Sequence, residues 1–243
     1  MANPTAAMLV IGDEILSGRT RDANMHHLAG RLTEAGIDLM EVRVVSDERA
    51  AIIEAVRSLA ASFDHLFTSG GIGPTHDDIT ADCIAAAMDD NICVRNDARA
   101  ILQKHYDRQG IEMNEARLRM ARIPDRATLI ENPVSAAPGF TLENVHVMAG
   151  VPKIFQAMVE SLLPTLTGGA PLLSNTVRIH RGEGDIAGPL SALNTEFAEL
   201  GFGSYPFQQD GKFGSNIVIR GTDAERLTEA ANRLRDIFGE DAQ

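Results

Sequence analysis

Residues 65–88 read HLFTSGGIGPTHDDITADCIAAAM. A short apolar run, His65–Thr68, meets three glycines and a proline, then the adjacent aspartates Asp77 and Asp78, then a helix-forming segment from about Ile79 to Met88. That order spells strand, loop and helix, the half-unit from which parallel sheets are assembled. The same order occurs twice upstream. Ala6–Ile11 (AAMLVI) reads as a buried strand, and residues 23–34 place Leu28, Leu32 and Ala35 on one helical face before Gly36 ends the run. Leu39–Val45 reads as a second strand, and Glu48–Ser62 carries Ile52, Val56, Leu59 and Ala60 at helical spacing. Strand and helix in strict alternation imply parallel pairing with right-handed crossovers, so the expected fold is a doubly wound, mostly parallel α/β layer.

Farther along, residues 98–108 and 114–122 read as helices, and 128–130, 140–142 and 145–148 as short strands. Pro152 suits the first turn of a helix running to about Leu163. The stretch LPTLTGGAPLL, residues 163–173, is the clearest break, which predicts an α/β domain over 1–168 and a second domain over 171–243. In the second, strands at 175–181, 202–207 and 216–220 and helices at 186–200 and 224–238 describe a small α+β module. Its Gly211-Lys212-Phe213-Gly214 lies between two strands, where a hairpin turn is expected, whereas the GxxG of a nucleic-acid-binding KH domain joins two helices.

A net charge of −12 on 243 residues argues against a general nucleic-acid or anionic-membrane binder, because both need a positive field. The two cysteines, Cys83 and Cys93, form neither a disulfide framework nor a CxxC pair. No apolar run nears the roughly 20 residues of a membrane span. The opening MANPTAAMLVIGDE lacks the basic flank of a signal peptide, so a cytoplasmic protein is expected.

Ligands of open parallel sheets bind beyond the carboxyl ends of the strands. After the first strand come Gly12, Asp13 and Glu14, then Asp22 and Asn24; after the second comes Asp47; after the third comes the quoted loop. Successive amides of Ser69, Gly70, Gly71, Ile72 and Gly73 can form an anion-binding concavity. A phosphate there would face several carboxylates, which is repulsive unless a divalent cation intervenes or a carboxyl keeps its proton. Each aspartate also stands where a helix could be capped: Asp22, Asp47, and either Asp77 or Asp78. GGIG matches neither GxGxxG nor a Walker sequence. His76 could act as acid, base or ligand, though a lone loop histidine is more often solvated; His26-His27 lacks a partner at metal spacing.

Four separated motifs, IGDEILSGRTRDAN (11–24), VSDERAAI (45–52), TSGGIGPTHDDITAD (68–82) and AGVPKIFQAM (149–158), resemble the molybdopterin-binding domain of molybdenum-cofactor biosynthesis. They are most similar to its branch in the CinA (competence/damage-inducible protein A) family, whose domain also forms the FAD-hydrolysing part of eukaryotic FAD synthase. The resemblance covers about residues 5–165, and residues 171–240 resemble the KH-like module that follows in CinA proteins. It stops before their amidohydrolase domain, so nicotinamide mononucleotide deamidation is not expected. Ala149 departs from the proline usual before GVP.

The resemblance implies a pyrophosphatase acting on ADP-ribose or a related dinucleotide such as FAD. It implies a divalent metal ion (Mg, Mn or Co), potassium and a homo-oligomer. Asp13, Asp47 and Asp78 match the family's binding aspartates and are the expected metal ligands. Asp78, Asp47 and Asp77 are the expected catalytic carboxylates. Gly12, Asp13, Glu14, Asp22, Asn24, Ser69, Gly70, Gly71, Gly73, Pro74 and Thr75 are the expected substrate contacts. The alternatives are adenylyl transfer to molybdopterin and a non-catalytic nucleotide- or pterin-binding module.

Overall fold

All six residues of Ala6–Ile11 are buried, because β1 (Thr5–Ile11) packs helices against both of its faces. That double burial explains a continuous apolar run in place of an alternating one. The computed structural model describes residues 2–209 and 211–242. The chain divides into two units, Met1–Gly169 and Ala170–Gln243.

In the first unit β1 pairs in parallel with β2 (Asp38–Val45) on one side and β3 (His65–Ser69) on the other. Helices α1 (Asp13–Leu16) and α2 (Asn24–Ala35) join β1 to β2, and α3 (Arg49–Ser62) joins β2 to β3. Gly36, at φ 68°, ends α2 in the left-handed region, as its position predicts. After β3 come α4 (Thr80–Ala87), β4 (Ile92–Val94), α5 (Asn96–Gln109), α6 (Glu115–Arg119) and β5 (Arg122–Pro124). Then β6 (Thr128–Ile130), β7 (Gly139–Leu142), β8 (Val145–Met148) and α7 (Pro152–Leu162) complete the unit. The six-stranded sheet has the order β2-β1-β3-β8-β7-β6, parallel through β8 and antiparallel over β7 and β6.

One face of β1 (Ala7, Leu9, Ile11) packs on α3, α4 and α5 through Ile52, Val56, Leu59, Ile84 and Leu102. The other (Ala6, Met8, Val10) packs on α2 and α7 through Leu28, Leu32, Phe155 and Met158. The fold is thus the doubly wound, mostly parallel layer read from the sequence. Truncating Leu9 to alanine would cost roughly 2–5 kcal/mol, the range for a buried leucine.

The predicted helix over 114–122 is shorter. Asn114 caps α6 by accepting from Arg117 N at 2.9 Å, and Arg122–Pro124 leaves it to pair antiparallel with β4. Neither three-residue strand was predicted, since each is defined only by the other. The second unit contains β9 (Leu173–Ile179), α8 (Glu183–Glu196), β10 (Gly201–Gln209), β11 (Lys212–Gly221) and α9 (Ala224–Phe238). Its antiparallel sheet has the order β10-β11-β9. The expected hairpin joins Gln209 to Lys212, with Gly211 at φ 75°; Asp210 lies outside the described residues. Among the described residues no helix is long and apolar enough to cross a membrane.

The first core holds a polar group that the sequence reading passed over. His146 on β8 is 2% exposed; its Nε2 lies 3.1 Å from His65 Nδ1 and its Nδ1 3.0 Å from Thr141 Oγ1, with the Phe67 ring 4.9 Å away. Burial, and secondarily the neighbouring His65, pushes its pKa down to about 3. Because the folded value lies below the unfolded one, the unfolded chain takes up the proton first. The neutral histidine's contribution is therefore complete above about pH 6.5 and is lost as pH falls toward 3, by about 1.4 kcal/mol per pH unit. Urea midpoints at pH 7 and 4.5 should fall in the wild type and fall less in His146→Phe; equal slopes would assign the acid sensitivity elsewhere.

Candidate functional site

The connection from β1 runs outward to β2, and the chain then returns past β1 to β3. Strand order reverses between β1 and β3, and beyond their carboxyl ends lies a cleft of about 470 Å³. Ile11, Ile72, Met120 and Ile154 supply apolar wall, residues 70–74 one rim, and Glu14, Thr20, Asp78, Asn132 and Ser135 the polar groups.

Each glycine of the loop answers a different close approach. A Cβ on Gly70 (φ 111°) would come within 2.2 Å of the Ile11 carbonyl oxygen. One on Gly71 (φ 67°) would meet Thr80 Oγ1 at 2.1 Å, and one on Gly73 would meet Asp78 Oδ2 at 2.6 Å. The expectation that Gly70 offers its amide to an anion needs correction: that N–H donates to Met148 O at 3.2 Å, extending the β3–β8 ladder. Among the described residues the N–H groups of Gly71, Ile72 and Gly73 have no acceptor, so three consecutive donors remain at the mouth. Pro74 lines the cleft beside them.

The aspartates separate by role. Asp22 does cap a helix, its Oδ1 accepting from Met25 N at 2.8 Å, and it does not line the cleft. Asp47 and Asp78 do not cap: α3 and α4 start without a side-chain cap. Asp78 Oδ2 instead accepts from Thr75 N at 2.8 Å and Thr75 Oγ1 at 2.5 Å, so Thr75 fixes the carboxylate and does not itself line the cleft. Asp47 Oδ2 accepts from Asp13 N at 2.9 Å, tying the β2 loop to the β1 loop. The Glu14 carboxylate folds over Gly12, where a Cβ would come within 2.6 Å of Oε2. His76 points into solvent, its side chain 98% exposed.

Asp47 stands above the ordinary aspartate pKa. Partial burial is the main cause; the Asp13 amide opposes it, and the charges of Asp13, Glu14 and Asp77 add to it. Three neighbouring carboxylates therefore act on Asp47 from one edge of the sheet. Among the described residues no group of three or more His, Cys, Asp or Glu side chains is arranged to hold a metal ion. Asp13, Asp47 and Asp78 accordingly do not form a closed cage, and a cation bound by one or two of them would need further oxygens from a ligand, as Mg²⁺ commonly does.

Asn24 and Ser69, expected to touch substrate, serve the scaffold instead. Asn24 is 3% exposed and donates through Nδ2 to Ser69 Oγ at 2.7 Å and to Gly150 O at 2.8 Å, tying the start of α2 to the ends of β3 and β8. At Ala149 the backbone N–H donates to Met158 Sδ at 3.5 Å, a bond proline could not make. Arg119 is a residue the sequence reading missed. It lines a small recess with Gly71, Gly73 and Asp78, its Nη2 lies 3.4 Å from Asp78 O, and its Nε is buried with no partner among the described residues. Only the spacing ARLRMAR hinted at it, and that reads equally well as a solvated basic face.

Residues 7–168 match the family described as a probable molybdopterin binding domain. The chain belongs to that family. Residues 171–242, following the molybdopterin-binding domain, match the family described as FAD synthase, middle domain. A probable FAD synthase of Caenorhabditis elegans is 31% identical over 259 residues, covering 96% of this chain and 50% of the relative. A CinA-like protein of Citrifermentans bemidjiense is 37% identical over 167 residues, covering 67% of this chain and 40% of the relative. A crystal structure of the protein CinA, of unknown function, from Thermoplasma acidophilum superposes with a TM-score of 0.62 at 32% identity, over 67% of this chain and 97% of that one. The molybdopterin-binding domain is thus of the CinA-like branch. The matches span 64% and 62% of relatives from Caldivirga maquilingensis and Metallosphaera sedula, so the chain covers less than two thirds of several relatives.

The raised Asp47 pKa has a definite sign. A carboxyl whose folded value exceeds its unfolded value stabilises the fold below about pH 3.8 and loses that contribution as pH rises through the folded value. Asp47→Asn keeps an acceptor for the Asp13 amide and removes the repulsion. Thermal melts should show the variant a few degrees more stable at pH 7, the effect being limited because Asp47 is only half-buried, and converging with wild type below pH 4. A variant less stable at pH 7 would contradict this account.

Proposed function

We propose that the first unit hydrolyses the pyrophosphate bond of ADP-ribose or a related dinucleotide such as FAD, releasing AMP. The observation that carries this reading is one cleft lined by three unpartnered amides (Gly71, Ile72, Gly73) and two carboxylates (Glu14, Asp78), with Arg119 in the recess that adjoins it at Gly71, Gly73 and Asp78. The amides and the guanidinium suit the pyrophosphate oxygens, and Ile11, Met120 and Ile154 offer apolar surface to a base. Glu14, which lines the cleft, or Asp47 or Asp77 near it, would orient a water and accept its proton as oxygen adds to phosphorus and the bridging P–O bond breaks. The unneutralised repulsion around Asp47 fits a divalent cation held by Asp47 or Asp78 together with phosphate oxygens. Such a cation would offset phosphate charge and acidify water. The FAD synthase relatives and the FAD synthase middle domain support a nucleotide substrate.

The family's description as molybdopterin-binding favours a second reading, adenylyl transfer to molybdopterin, in which a substrate phosphate replaces water as nucleophile.

Incubation with ADP-ribose or FAD and Mg²⁺, Mn²⁺ or Co²⁺ plus potassium should release AMP. Asp78→Asn should lower the rate at least about a hundredfold, the scale of losing a positioned charge in a site, and Arg119→Gln should raise KM. AMP transfer from ATP to molybdopterin without hydrolysis would favour the second reading. Nucleotide binding with no product of either kind would reduce the unit to a binding module.

A further inference from the structure

A second concavity meets the cleft at Asn132. Between α5 and residues 129–138 lies a cavity of about 510 Å³, to which α5 contributes Ile101, Lys104, His105 and Arg108. Leu129, Pro133 and Pro138 make its other side apolar, with Glu131 as its one carboxylate. Among the described residues neither Lys104 nor Arg108 has an ion-pair partner, and Glu131, in the same cavity, pairs with neither, so the cavity presents two free cations beside one carboxylate. Two uncompensated cations over an apolar floor suit a phosphate attached to a flat ring.

The cavity and the cleft share Asn132 as a dividing wall. Asn132 is 5% exposed and commits both ends of its amide to its own loop. Its Oδ1 accepts from Val134 N at 3.0 Å and Ser135 N at 3.1 Å; its Nδ2 donates to Ser135 Oγ at 2.7 Å and Ala137 O at 2.8 Å. The wall is therefore fixed before any ligand arrives, and both concavities belong to the same unit, so one extended molecule can reach across it.

We propose that this cavity is a second nucleotide subsite, in which Lys104 and Arg108 bind a phosphate, the apolar side receives the base, and Glu131 accepts from a sugar hydroxyl. Its assignment to the same ligand rests on the dinucleotide reading of the cleft and points it away from ADP-ribose and FAD, whose only phosphates form the pyrophosphate, toward dinucleotides that carry a further phosphate.

The test is AMP binding by calorimetry to wild type, to Lys104→Ala/Arg108→Ala and to Arg119→Gln. Both replaced cations of the double variant are exposed, and neither belongs to the cleft. The proposal expects a site that the double variant weakens about tenfold, the scale of losing charge-assisted hydrogen bonds, and that Arg119→Gln leaves intact. A matching charge reversal, Lys104→Glu/Arg108→Glu, should abolish that site. An unchanged AMP affinity in the double variant, a loss confined to Arg119→Gln, or no AMP binding by wild type would each overturn it. Since binding is read without turnover, AMP bound here in a protein that releases no AMP from ADP-ribose would sink the hydrolase reading and keep the subsite.

Discussion

Nothing larger than a hydrogen fits between Gly70 and the carbonyl of Ile11. That contact lets the chain leaving β3 cross the end of β1 while its own amide still bonds Met148 on β8, so three neighbouring strands end in one tight layer. Asn24 reinforces the same junction from beneath, reaching Ser69 and Gly150 with a single side-chain amide. The cleft exists because these strand ends are pinned and the loops beyond them must spread.

The question raised by the loop, amides beside carboxylates, resolves into geometry. Amide donors not consumed by the sheet begin one residue later than the glycines do, at Gly71. Asp78 is held by Thr75 over Gly73, and Glu14 over Gly12, so both carboxylates sit where glycine leaves room for them. Asp47 stays half-buried among like charges, an arrangement that isolated stability would disfavour and that a bound cation would relieve.

Arg119 changes the electrostatic balance of this site. It returns from α6, some forty residues after the loop, and places a guanidinium beside Asp78 and the free amides. It ends α6, just before Arg122–Pro124 pairs antiparallel with β4. A strand pair three residues long leaves almost no periodic trace, so the sequence reading extended the helix and lost the arginine's role with it.

The doubly wound order, the glycine loop and the residues at the strand ends were legible in the chain alone. Each depends on local periodicity or on a backbone conformation that glycine permits, and those are written in neighbouring residues. Which carboxylate caps, which ties loops and which faces the cleft was not legible, because Asp22, Asp47 and Asp78 look alike beside a helix start. The same holds for Asn24, buried as a brace, for His146, hidden in an apolar run, and for Lys104 and Arg108, which the sequence reading placed only on a helix. Their environments are assembled from segments far apart in the chain, and only the packing of the sheet brings those segments together.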